Sequence, residues 1–197
     1  MYQEDFAQAL GLPATLKYER NGTPERSFNA RAIHGLFLQT AAPIVAIREF
    51  LKLTLFNACV GNAAKNHALI YSGGPAPHLA PAYDLLPTRL EPDLVTEMGF
   101  HIGAAPAAAD VTAMGVAMML AAFGFNERAA TRFAREEIAP LMQTLDAAAK
   151  ERALAPKDLD DLIGSNLEIL SAACGLELGL RDHDPFQLQG GGWLAGI

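Results

Sequence analysis

Apolar residues recur at three-and-four spacing over most of this chain, the pattern of helices that bury one face, and one short region reads as strand instead. The spacing predicts a helix from about Ala30 to Thr40 and a longer one after Pro43. The longer helix carries Ile47, Phe50, Leu51 and Leu55 on one face, with Leu53, Phe56 and Val60 beside it. A helix apolar on so much of its surface is central and buried. Gly61 is its natural stop, because a residue without a β-carbon takes the left-handed conformation at no steric cost. The chain then changes character. Ala68–Tyr71 and His78–Ala80 read as two short strands joined by SGGPAP, and Pro81 ends the pairing because it has no N–H to donate.

Elsewhere the pattern is helical or silent. Met1 to Gly11 predicts a short helix, and KYERNGTPER a loop. Residues 87–106 carry no regular pattern, although Leu94, Val95, Met98 and Phe100 are apolar anchors. Asp110 is placed to cap a helix over Val111–Phe123 with Gly124 after it, and Asn126 to cap another that runs to about Lys150 with a kink at Pro140. A last helix starts near Pro156–Asp158, where Asp158, Asp160 and Asp161 favour a helix amino terminus. It carries Leu159, Leu162, Ile163, Asn166, Leu170 and Cys174 at helical spacing and stops at Gly175. The tail 186–197, with three consecutive glycines, is read as a flexible end, and Trp193 within it as incidental to any site. The fold class is therefore mainly α with one small β-hairpin, in one domain over residues 1–185.

Composition narrows the function. With 51% apolar and 19% charged residues, the 197-residue chain suits one well-buried globular domain. A formal charge of −7 argues against a nucleic-acid or anionic-membrane surface, both of which need a dense basic face. Cys59 and Cys174 fall in apolar helical segments and read as small buried hydrophobes, which suits a reducing cytoplasm. The longest apolar run, Ile44 to Val60, is interrupted by Arg48, Glu49 and Lys52 and is no membrane span. A soluble cytoplasmic protein is expected.

Among the polar residues, five histidines show no metal-ligand spacing, and His67 is read as structural. Asn57 falls on the polar side of its helix. Arg128, Arg132 and Arg135 sit among acidic residues as a solvated ridge, while Met114, Met118, Met119, Phe123 and Phe125 read as core. The chemistry concentrates in FNACVGNAAKNHALIY, residues 56–71, where Lys65 and Asn66 stand between a helix end and a strand. A hairpin brings its ends together, so Asn66 at the start and Asp84 beyond the exit should lie close. An amide oxygen and a carboxylate at one point suit Mg²⁺, which keeps water and substrate phosphates in its other positions. A loop asparagine capping backbone groups and an aspartate capping a turn account for the same residues without a metal. Helix, loop ending in Asn, hairpin and then Asp is also the order of parts in the helical lobe of protein kinases.

Three motifs carry a resemblance. QEDFAQALGLPATLKYE at 3–19, LFNACVGN with AKNHALIY at 55–71, and LAPAYDLLPT at 79–88 resemble the carboxy-terminal half of HipA-type serine/threonine kinases, the toxins of HipBA toxin–antitoxin modules. EEIAPLMQTLDAAAKERAL and the 156–175 segment also suit that half. The resemblance implies the helical carboxy-terminal lobe of a protein-kinase-like fold. It implies ATP and Mg²⁺ as cofactors, a protein hydroxyl as substrate, and a HipB-like helix-turn-helix antitoxin as partner, with DNA contact only through that antitoxin. By residue, Asn66 and Asp84 would serve catalysis as the metal ligands, and Lys65, Asn66, Tyr83 and Asp84 would line the nucleotide site.

The family loop GNxDxHxKN contains an aspartate base, and here it is absent, since Gly61-Asn62-Ala63 runs directly into Ala64-Lys65-Asn66. Glu49, Glu91 and Asp93 are not expected to replace it. The shortening could draw Asn66 towards the helix end and spoil the metal geometry. Nothing before residue 55 reads as a glycine-rich phosphate loop or a strand-borne nucleotide lysine, so the amino-terminal lobe is not found in this chain. Omission of part of a longer protein is the expected reason for the gap in the loop. A truncated, inactive remnant acting as an antitoxin-binding or oligomerisation module is the alternative.

Overall fold

A computed structural model describes residues 1–23, 25–62, 66–91, 97–151 and 157–178. The expected architecture, mainly helical with a small sheet, is present. Helix α1 is Phe6–Ala9, α2 Ala30–Phe37, α3 Pro43–Val60, α4 Ala113–Ala122, α5 Glu127–Phe133, α6 Ala139–Glu151 and α7 Lys157–Ala173. Strand β1 is Tyr2–Asp5, β2 Ala68–Tyr71 and β3 His78–Leu79. The tail expected over 186–197 lies outside the described residues, as do Leu94 and Val95.

Helix α3 is the axis of the fold. Proline at its first position needs no N–H partner there, and Gly61 ends it with φ 71°. It buries Ala46, Ile47, Phe50, Leu51, Leu55, Ala58 and Cys59. The Phe50 ring, fully buried, lies 5.2 Å from Phe37, 5.4 Å from Phe100, 5.6 Å from Phe123 and 4.9 Å from the His67 imidazole. Aromatic contacts at these separations add to the area term, so one side chain ties α2, α3, the start of the hairpin and the 98–123 segment together. Asn57, expected on a polar face, is only 2% exposed, because α3 is covered on that side too.

The hairpin gains a third strand. Residues 2–5, expected in a helix, form β1, antiparallel to β2 with Tyr2 opposite Tyr71 and Asp5 opposite Ala68. The Tyr71 hydroxyl donates to Glu4 at 3.0 Å across that pair. Helix begins only at Phe6, where Asp5 and Gln8 cap each other reciprocally at 2.8 and 2.9 Å. Strand β3 pairs through Leu69 with Leu79 and Ile70 with His78, and Ala80 N–H reaches Ala68 C=O at 2.9 Å.

Three helix expectations shift. Thr112 caps α4 through Gly115 N–H at 3.1 Å, while Asp110 closes a short 3-10 turn and is followed by extended backbone at Val111. Asn126 caps α5 as expected, at 2.9 Å from Ala129 N. In place of a simple kink at Pro140, a π turn over Ala134–Ile138 joins α5 to α6, the wider winding that accommodates a proline ring. Glu137 of that turn meets Arg48 at 3.0 Å. Met119 and Phe123 are core and Phe125 packs against it, but Met114 and Met118 are 70% and 56% exposed, because nothing covers that side of α4 among the described residues. Gly175 closes α7 with φ 67°.

Both thiols are free. Burial raises the Cys174 pKa to about 12 and that of Cys59 further, so both stay protonated and inert. Among the described residues no helix is long and apolar enough to cross a membrane. Phe50→Ala is expected to cost about 3–5 kcal/mol, read by urea denaturation.

Candidate functional site

The site hangs from the end of α3. Gly61 turns the chain, and Asn62 N–H closes back on Asn57 C=O at 2.8 Å. Asn62 is buried, and its Nδ2 donates to the backbone carbonyl of Asp84 at 3.1 Å. The Gly61 carbonyl accepts from Arg89 N–H at 3.0 Å and from Thr88 Oγ1 at 3.3 Å. Three hydrogen bonds therefore fix residues 84–89 to the helix terminus. Asp84 is the only non-glycine among the described residues with positive φ, at 55°. That conformation costs roughly 1–2 kcal/mol for an L-residue and persists only where neighbours over-determine it.

Asn66 and Asp84, 18 positions apart, meet: Asn66 Nδ2 donates to Asp84 Oδ2 at 2.5 Å. The short loop has not separated them, because Asn66 is placed by its buried neighbours. His67 packs between the rings of Phe6 and Phe50, its carbonyl takes Phe6 N–H at 3.0 Å, and β2 begins at Ala68. Lys65 lies outside the described residues, with Ala63 and Ala64. Asp84 is exposed and Asn66 half-buried, so the pair is open to a ligand from solvent.

Tyr83 joins the site through its electrostatics. Burial pushes its hydroxyl pKa above the ordinary tyrosine value, and the nearby charges of Asp5 and Asp84 add to the rise. Asp5 went unnoticed in the sequence because it is far from Tyr83 in the chain. The β1–β2 register brings it to the strand end beside His67, where Lys17 pairs with it at 3.2 Å. Glu49 stays on α3, paired with Lys52 at 2.5 Å.

The donor set fits a hard cation better than a soft one. Carboxylate and amide oxygens suit Mg²⁺, and turning the Asn66 amide over presents Oδ1 where Nδ2 now meets Asp84. Among the described residues no cluster of three or more His, Cys, Asp or Glu is placed to hold a metal ion.

The model of the HipA-like C-terminal domain matches residues 1–153, well over half of the chain. The chain belongs to the HipA-like C-terminal domain family. Two Sinorhizobium fredii proteins are similar to this HipA-like domain. The one named "Putative kinase Y4mE" is 36% identical over 118 residues, 58% of this chain and 27% of that protein. The one named "Putative kinase Y4dM" is 36% identical over 88 residues, 43% of this chain and 20% of that protein. The fold is similar to HipA of Shewanella oneidensis MR-1, solved with HipB and its operator DNA. The TM-score is 0.63 and the identity 23%, covering 88% of this chain and 43% of that one. The HipA-like domain thus spans about a quarter or less of these two relatives and under half of the solved HipA chain.

Because the folded state holds the Tyr83 proton more tightly than the unfolded state, stability falls as pH rises from about 10 through the higher folded value. Tyr83→Phe should remove that part of the fall. A difference titration of phenolate absorbance between wild type and variant should show one late-ionising tyrosine lost.

Proposed function

We propose that this HipA-like domain is the metal- and phosphate-binding half of a serine/threonine protein kinase. In it Asn66 and Asp84 hold Mg²⁺, and Lys65 and Tyr83 border the phosphates of ATP. The convergence of the Asn66 amide and the Asp84 carboxylate, with Asp84 fixed in a left-handed backbone by Asn62, carries this reading. Bound Mg²⁺ would neutralise charge on the β- and γ-phosphates. The domain's own residues set the geometry: Asn62 fixes the Asp84 backbone, and Asn66 orients its carboxylate. The kinase names of the two relatives point the same way.

Proton removal from the protein hydroxyl needs a base such as a carboxylate within hydrogen-bond reach, and its loss typically costs about 10²–10⁴ in rate. Between Asn62 and Asn66 stand only Ala63, Ala64 and Lys65. The domain by itself is therefore proposed to bind Mg·ATP phosphates without efficient transfer. The complete enzyme would be a cytoplasmic toxin restrained by a HipB-like helix-turn-helix antitoxin that carries the DNA contact, in line with the HipA–HipB–operator assembly of the structural neighbour. The acid-free loop favours a second reading: a catalytically inactive module that keeps the antitoxin-binding or oligomerisation role.

Titration of the purified protein with Mn²⁺, followed by the loss of the free-ion electron paramagnetic resonance signal, separates the two. Saturable binding is expected, weakened by about tenfold or more in Asp84→Asn and Asn66→Ala, which removes a ligand while circular dichroism stays unchanged. Absence of saturable binding in the wild type would sink the metal reading and leave the module reading in the lead.

A further inference from the structure

Helix α7 lies beyond the 1–153 segment that the family model matches, yet it packs along α3 and reaches the terminus that carries the site. Two of its side chains make that contact. Asn166, 4% exposed, donates Nδ2 to the carbonyls of Ala58 at 3.1 Å and Cys59 at 3.0 Å. Leu162, about one turn earlier, fills the space beside Gly61: a β-carbon on Gly61 would stand 2.8 Å from Leu162 Cδ2.

We propose that Asn166 is a positioning residue for the Asn66–Asp84 site, acting through the last turn of α3. Its assignment to a metal site rests on the function proposed above; its control of the 84–89 segment does not. The last carbonyls of a helix have no partner inside the helix, and at a buried end water cannot supply one. The Asn166 amide has two N–H bonds and gives one to each of two such carbonyls. This holds the turn through Val60 in one conformation. That turn in turn aims the Gly61 carbonyl at Arg89 and Thr88 and the Asn62 amide at the Asp84 carbonyl. The polar donor at a position spaced like the core residues of α7 is thus explained by what it holds, since a leucine there would pack but take away the buried donor that the Ala58 and Cys59 carbonyls share.

Amide hydrogen exchange on the full chain, without metal, tests this. In Asn166→Leu, the amides of Asn62 and Arg89 are expected to exchange about tenfold or more faster than in wild type, while those of β2 hold their rate. Leu170→Ala, which removes a buried side chain from the same helix, is expected to loosen α7 without selecting those two amides. Wild-type rates at Asn62 and Arg89 in Asn166→Leu, or the same pattern in both variants, would overturn the proposal. If Asn166→Leu does not fold, Asn166→Ser, with a single hydroxyl donor, should give an intermediate acceleration at the same two amides, and no acceleration would overturn it. Failure of the Mn²⁺ titration would strike only the metal reading and leave this exchange pattern to decide the clamp.

Discussion

The end of α3 presents backbone carbonyls that its own helix cannot satisfy, in a place where protein rather than water surrounds them. Those groups organise their neighbourhood. Gly61 folds back its amide to the Ala58 carbonyl at 3.3 Å, Asn62 does the same to Asn57, and Asn166 takes the carbonyls of Ala58 and Cys59. The Gly61 carbonyl is then free to receive Arg89, which draws the segment after Asp84 onto the helix. Satisfying one buried helix terminus therefore fixes the segment that carries Asp84. It also supplies a reason for the left-handed backbone of Asp84, which Asn62 holds from below.

The apolar half of the same helix gives this terminus a rigid base. Phe50 packs against four phenylalanines and His67, and His67 is the residue directly after Asn66. Asn66 is thus positioned from the strand side, by a buried histidine and the register of β1 on β2. That is why a loop three residues shorter than the family pattern can leave Asn66 against Asp84. In physical terms, the meeting of Asn66 and Asp84 depends on the sheet and the helix end.

Much of the framework was legible because its signals are local. Gly61, Asn126 and Gly175 act on their own turn of helix, and the SGGPAP turn with its flanking strands is written in adjacent residues. Errors came where a neighbour in space outweighed a neighbour in sequence. Residues 2–5 became a strand because β2 offers an edge more than 60 positions away. Thr112 displaced Asp110 as a cap because the backbone at Val111 is extended. Asn57 is buried, and Met114 and Met118 exposed, because helix faces are assigned by what packs on them.

The sequence by itself determined a helical kinase-like lobe with a hairpin, the HipA-type motifs, and the pair Asn66 and Asp84, since a hairpin fixes how its ends meet. Tertiary structure alone decided that Asn62 would hold Asp84, that Asp5 would stand near Tyr83, and that Asn166 would cap α3. Those partners are 22 positions apart for Asn62 with Asp84 and 107 for Asn166 with Cys59. No helical or strand periodicity extends over such separations, so contacts of this kind become visible only when packing brings the two segments together.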